Sequence, residues 1–435
     1  MAQNKTLNTV TKIYFMAVTV LMHYFLNEYI DLGVFVTYRH AFALVLAFSA
    51  VLLFLLIPNI ARGFTAIKDA FVYSLPLLVT TVVSLFIWFM GTVDFDIISR
   101  GLSSSFLYAN MLSFALAAGA MLYVFGKSGI WWNLIAILVA NLAMIASIIA
   151  EHGLGNYLSE LITLITTFAG VTGDIIVQAE IHEIAFCLGA YLIYMLYKPK
   201  KSLSYFVLLF LSLFCFLSAF KRIAIIAIVI ALFFGYLLKF IAHYNKKTAI
   251  NLITFFSVVL IALLVLYVAI IKAGAFELLE KAGIETSGRV EVYKAVDHFF
   301  EFDPGFLGNG IGFLTYQLNT NMNTGVASVH NDFLQHFIDL GFWGYLLWLA
   351  AMTLSRVRYF GRKENAENAI ITFILTVYLI IVSTTDNTMN YPLLTGVLAL
   401  LMMGNSFDEN VRTAENKIFG CVSEPNKEKK NGSLI

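Results

Sequence analysis

Lys221, Arg222, Arg289 and Lys294 are cations in segments that the charge pattern of the rest of the chain assigns to the outer side of a membrane. Positive charge held against that bias needs a reason. An anionic substrate supplies one. An arginine fork matches phosphate oxygens two at a time and stays charged in a low dielectric, whereas lysine is a compact point charge. His330-Asn331 closes the longest polar segment on the same side. An imidazole titrates near neutrality and can take the proton of a hydroxyl. His330, Arg289 and Arg222 are the candidate catalytic residues. Lys221, Asn331, Tyr293, Arg100 and Asn321 are candidate substrate-binding residues.

Membrane helices must position them. The chain has 435 residues, 60% hydrophobic and 13% charged, about half the charge fraction of a soluble domain. Apolar runs of spanning length fall near 12–30, 40–58, 71–91, 105–125, 130–150, 181–197, 203–219, 223–242, 250–271, 340–355, 368–385 and 390–407. The bilayer core cannot satisfy open backbone, and the alternation of a membrane barrel is absent. The expectation is an all-α polytopic membrane protein with about twelve spans. Cys187 and Cys215 lie inside apolar runs and Cys421 in the tail, so neither a disulfide framework nor a thiolate metal site is suggested. The first run lacks a small-residue cleavage site and reads as an uncleaved span. Net charge is +1, so bulk charge favours no partner, and no nucleic acid is expected.

Lys5, Lys12, Arg62, Lys68, Lys127, Lys198, Lys200, Lys201, Lys246, Lys247, the cluster Arg356 to Lys363 and the tail cations all fall on one side. That side is expected to be cytoplasmic, with both termini inside. Four regions follow: 1–271 with spans one to nine, 272–339 as an extracytoplasmic loop, 340–407 with spans ten to twelve, and a polar tail over 408–435. A loop of that length is expected to contain short helices. Helical spacing appears at Val290, Tyr293, Val296 and Phe300, and HNDFLQHFIDLG reads as a helix running into the tenth span.

SVHNDFLQHFIDLGFWG resembles the signature of the O-antigen ligase and polymerase superfamily, including the Wzy-type polysaccharide polymerases. The residues that carry it are His330, Asn331, Phe333, Leu334, Gly341 and Gly344. SGRVEVYK resembles the family's loop-arginine segment, which lands on Arg289. LSAFKRIAIIAI resembles the segment where a Ser-Arg pair opens a span, which lands on Arg222, although this chain has Lys221 in the serine position. The resemblance covers residues 203 to 407. It implies a GT-C-like glycosyltransferase, independent of metal and without a cofactor, using undecaprenyl-pyrophosphate glycans as donor and acceptor. The product would be an O-antigen, capsule or exopolysaccharide. Membrane lipids and a chain-length regulator are the further partners implied. In that chemistry the guanidinium groups stabilise the leaving pyrophosphate and His330 deprotonates the acceptor.

Weaker candidates carry plainer readings. Arg39-His40 and Arg100 are expected at the interface, where they could hold a second phosphate or a lipid headgroup. The Asn-rich stretch 318–324 could bind sugar hydroxyls or be a plain loop. Glu151-His152 and His182-Glu183 lack a metal-ligand spacing. Asp386-Asn387 either orients an arginine or caps a helix. His298 and His336 are expected to be solvated or interfacial. The alternative within the enzyme class is a ligase that transfers the glycan to lipid A-core. The alternative outside it is a polyisoprenoid-linked sugar flippase, which should carry charge deep in several spans.

Overall fold

The computed structural model describes residues 2–25, 29–31, 35–90, 111–167, 181–219, 221–283, 288–320, 329–361, 365–388 and 391–419. Arg100 and Asn321 lie outside the described residues. The architecture is helical, with one small exception to the all-α expectation. Tyr29–Asp31 and Phe35–Thr37 pair as a short antiparallel hairpin.

Among the described residues six helices are long and apolar enough to cross a membrane, or seven if one bent pair counts as a single span. This is a polytopic membrane protein. Ile181–Tyr197, Leu203–Ala219, Arg222–Tyr244, Lys246–Lys272 and Ala366–Ser383 begin and end close to the expected runs. Asparagine sets several of the starts. Asn59, Asn245 and Asn365 each accept a backbone N–H of the first turn, which the helix cannot satisfy itself. Ala366–Ser383 is apolar all round and almost wholly buried, as a helix at the centre of a bundle must be. Arg222–Tyr244, Ile181–Tyr197 and Lys246–Lys272 pack around it.

The expected span 71–91 is broken. Ile60–Tyr73 and Leu75–Phe89 meet at Ser74 with a bend of 55°. The buried Arg356 guanidinium covers the break, donating to the Tyr73 carbonyl from Nε at 3.0 Å and from Nη2 at 2.7 Å. Gly126, at φ +60°, turns the chain between two apolar runs, and Met121 and Asn133 consequently line one small cavity. The expected tenth span starts earlier, at Asp332, and continues as helix to Gly361 through a π-helical turn at Ala351–Ser355. The last helix, Pro392–Phe419, runs well past the expected span end at 407.

Three short helices, Ala275–Lys281, Arg289–Val296 and Phe313–Thr320, lie in the expected loop region. The turn 304–313 is pinned to the kink of the Asp332–Ala350 helix. Gly341 sits there at φ 69°, and a Cβ on Gly308 would lie 2.3 Å from the Gly341 nitrogen. The backbones touch only because both residues are glycine. Gly310 N–H donates to the Asp339 carbonyl at 2.7 Å, which closes the seam.

Candidate functional site

His330 and Asn331 stand at the start of the Asp332–Ala350 helix, and the turn holds them differently. Asn331 is fully buried and caps the helix, its Oδ1 accepting from the N–H groups of Phe333 and Leu334 at 3.1 Å each. His330 precedes it with φ +50°, the one positive-φ non-glycine residue among those described. A histidine in the left-handed region costs roughly 1 kcal/mol or more and persists only where its surroundings hold it. The backbone so placed leaves the imidazole exposed, with Nδ1 3.9 Å from Asp386 Oδ1.

Asp386 is the hub. It follows the central helix Ala366–Ser383, which ends just before it. Lys221 Nζ lies 3.1 Å from its Oδ2, and Tyr391 donates its hydroxyl to Oδ1 at 2.8 Å. The Asn387 N–H donates to the same oxygen at 2.9 Å. Burial alone would raise this carboxyl's pKa. The neighbouring His330, the Lys221 charge and the Tyr391 and Asn387 donors outweigh burial and hold it well below the ordinary carboxylate range. Asp386 is therefore a fixed negative charge facing His330.

Lys221 and Arg222 open the Arg222–Tyr244 helix, with Lys221 as its N-cap. Cations are unfavourable at that end of a helix dipole, and Asp386 compensates the one it touches. Arg222 is exposed on the first helical residue. Of the pair, Lys221 is the one whose contact with Asp386 is described. Arg289 opens its own short helix and donates from Nη2 to the Thr385 carbonyl at 2.9 Å, directly before Asp386. Tyr293, four residues on, meets Asn331 Nδ2 at 2.9 Å. His330, Asn331, Arg289, Tyr293 and Lys221 all converge on this loop and cap.

Two other expectations change. Arg39 is buried and paired with Glu183, whose other oxygen accepts from Leu393 N–H at 2.6 Å, so it is not an interfacial cation open to a headgroup. The same pair accounts for Glu183 without a metal. His336 is buried, not solvated. Its ring stacks on Trp348 with centroids 4.1 Å apart, and Nδ1 donates to the Asp332 carbonyl at 2.8 Å. His298 is exposed, as expected. Among the described residues no group of three His, Cys, Asp or Glu side chains could hold a metal. Sequence reasoning singled out Asp386 but did not assign it to His330. It missed Tyr391 and Tyr267, because a tyrosine near a span end is indistinguishable from an interfacial anchor.

The hub carries a stability prediction. Asp386→Asn is expected to lower the thermal midpoint at neutral pH by a few degrees, for a loss of about 1–2 kcal/mol of charge-assisted bonding. Its folded-state pKa is depressed below the unfolded value of about 3.9. The contribution is therefore fully present above that value and is lost as pH falls through the folded pKa. Melting curves of both proteins should differ above about pH 5 and converge in acid. A gap independent of pH would refute the ionic account.

No curated protein matches the chain. Residues 206–349 match the family described as O-Antigen ligase, a segment that includes Lys221, Arg222, Arg289 and His330 and stops short of Asp386. That match supports placing the chain in the O-antigen ligase/polymerase superfamily.

Proposed function

We propose that this chain polymerises undecaprenyl-pyrophosphate-linked oligosaccharide repeats at the outer face of the inner membrane. The observation that supports it most is the convergence of a carboxylate-facing histidine with Lys221 and Arg289 at one end of the bundle. His330 takes the proton of the acceptor hydroxyl, whose oxygen forms a bond to the anomeric carbon of the donor. The bond from that carbon to the pyrophosphate oxygen breaks, and undecaprenyl pyrophosphate leaves with the electron pair. Asp386 orients the ring and stabilises the imidazolium that forms. Arg289, with Lys221 and Arg222, meets the charge on the leaving group.

The family description favours a second reading, transfer of the glycan to lipid A-core. Purified protein in liposomes should extend lipid-linked repeats into a ladder without lipid A-core. A single product formed only when lipid A-core is present would replace polymerase by ligase. No transfer to either acceptor would sink both. A flippase is less favoured, since the described cations of the site gather at one end of the bundle.

Region 272–339 lies outside the membrane in this reading, and the termini and the 356–367 segment inside. Cysteine placed at the exposed Asp303 should react with a membrane-impermeant maleimide in intact cells, and cysteine at the exposed Lys247 should not. Cys187 and Cys215 are buried, and Cys421 is first changed to serine. The reverse pattern would invert the topology and remove the site from the outer face.

A further inference from the structure

Asn331 does more than cap a helix. The cap uses only Oδ1, which accepts from Phe333 and Leu334. Aspartate or serine would serve a cap equally well. The oxygen's two donors fix the amide orientation, so the NH2 group must face the other way. There it finds two acceptors, the hydroxyls of Tyr267 at 3.0 Å and Tyr293 at 2.9 Å.

These tyrosines come from separate elements. Tyr267 lies near the end of Lys246–Lys272, and Tyr293 on the eight-residue helix Arg289–Val296. Tyr267 donates its hydroxyl to the Thr384 carbonyl at 3.2 Å. Arg289, on the same helix face as Tyr293, reaches the next carbonyl, Thr385, at 2.9 Å. Both carbonyls immediately precede Asp386. One pair of hydroxyls therefore ties down His330 through Asn331 and Asp386 through Thr384. An eight-residue helix is too short to persist alone, so its docking decides where Arg289 stands.

We propose that the Tyr267 and Tyr293 hydroxyls form a positioning clamp that, through Asn331, holds His330 in its left-handed backbone with the ring toward Asp386 and in register with Arg289. The proposal deepens the glycosyl-transfer reading and rests on it for its activity arm. The rings also pack, Phe276 standing edge-on to Tyr293 at 5.1 Å and to Tyr267 at 6.2 Å. Phenylalanine keeps that packing and removes only the hydroxyls.

The test is the Tyr267→Phe/Tyr293→Phe double variant of the full chain. In the liposome transfer assay its kcat should fall about 10–100-fold with KM for the lipid-linked donor within about 2-fold, the scale of a small misplacement of a reacting group. In a His330→Gln background the same pair should cost less than about 2-fold, because the group it positions is gone. A second arm needs no activity: the ring ¹⁵N resonances of His330, assigned by their loss in His330→Gln, should shift in the double variant in nanodiscs. Unshifted resonances in a folded double variant, or a full additional loss in the His330→Gln background, would overturn the clamp. If the double variant unfolds, Tyr267→Phe alone reads the same quantities. If the wild type transfers nothing to any acceptor, the glycosyl-transfer reading fails and the resonances alone decide.

Discussion

His330→Ala is expected to lower the rate of glycan transfer by about 10²–10⁴-fold, the usual cost of deleting a general base. His330 is exposed while its Nδ1 side faces a buried carboxylate. Substitution by glutamine should not rescue the rate, since an amide cannot accept and release a proton near neutrality. The measurement is product formation by purified protein in liposomes, across pH and with EDTA present. A glutamine variant with the wild-type rate and pH profile would leave His330 a binding or structural residue. A wild type silenced by EDTA and restored by a divalent ion would remove the metal-free mechanism.

Arg289→Ala should cost on the order of 2–4 kcal/mol of transition-state stabilisation, about 30- to 1,000-fold, taking oxyanion-type donors as the guide. Lysine should recover only part of it, because it lacks the paired donors that match two phosphate oxygens. Arg289 donates from Nη2 to the Thr385 carbonyl, which sets the guanidinium beside the Asp386 loop. Comparing Lys221→Ala with Arg222→Ala then divides the work at the start of the Arg222–Tyr244 helix. Lys221 is the cation that touches Asp386, so Lys221→Ala should impair transfer by disturbing the His330–Asp386 pair. Loss of activity in Arg222→Ala as well would give the exposed Arg222 a direct part in binding the donor. Polymer ladders in cells, with protein level controlled, report all four variants. A normal ladder from Arg289→Ala would end the assignment.

Apolar run length is a one-dimensional property, and it was legible. Burying backbone in lipid demands about twenty apolar residues in a row, so Ile181–Tyr197, Leu203–Ala219 and Ala366–Ser383 could be bounded without knowing a single neighbour. The His-Asn pair, the loop arginine and the cation pair ahead of a span were legible too, because each is a local pattern. Hydropathy does not say which polar group meets which. Lys221 and Asp386 are 165 residues apart, and Asn331 and Tyr267 are 64 apart. Only packing of the bundle brings them together. The same limit hid the burial of His336 against Trp348 and of Arg39 against Glu183, since a polar residue within an apolar run reads alike whether it faces headgroups or a partner. It hid the break at Ser74 as well, where a distant arginine takes the carbonyl that the bend exposes. The sequence by itself determined the membrane class and the bounds of helices such as Ile181–Tyr197 and Ala366–Ser383, and it offered candidate residues for the site. The tertiary structure decided which cation sits at the hub, that Asp386 faces the histidine, and that two tyrosines join them, because those choices depend on three-dimensional neighbours that no local pattern encodes.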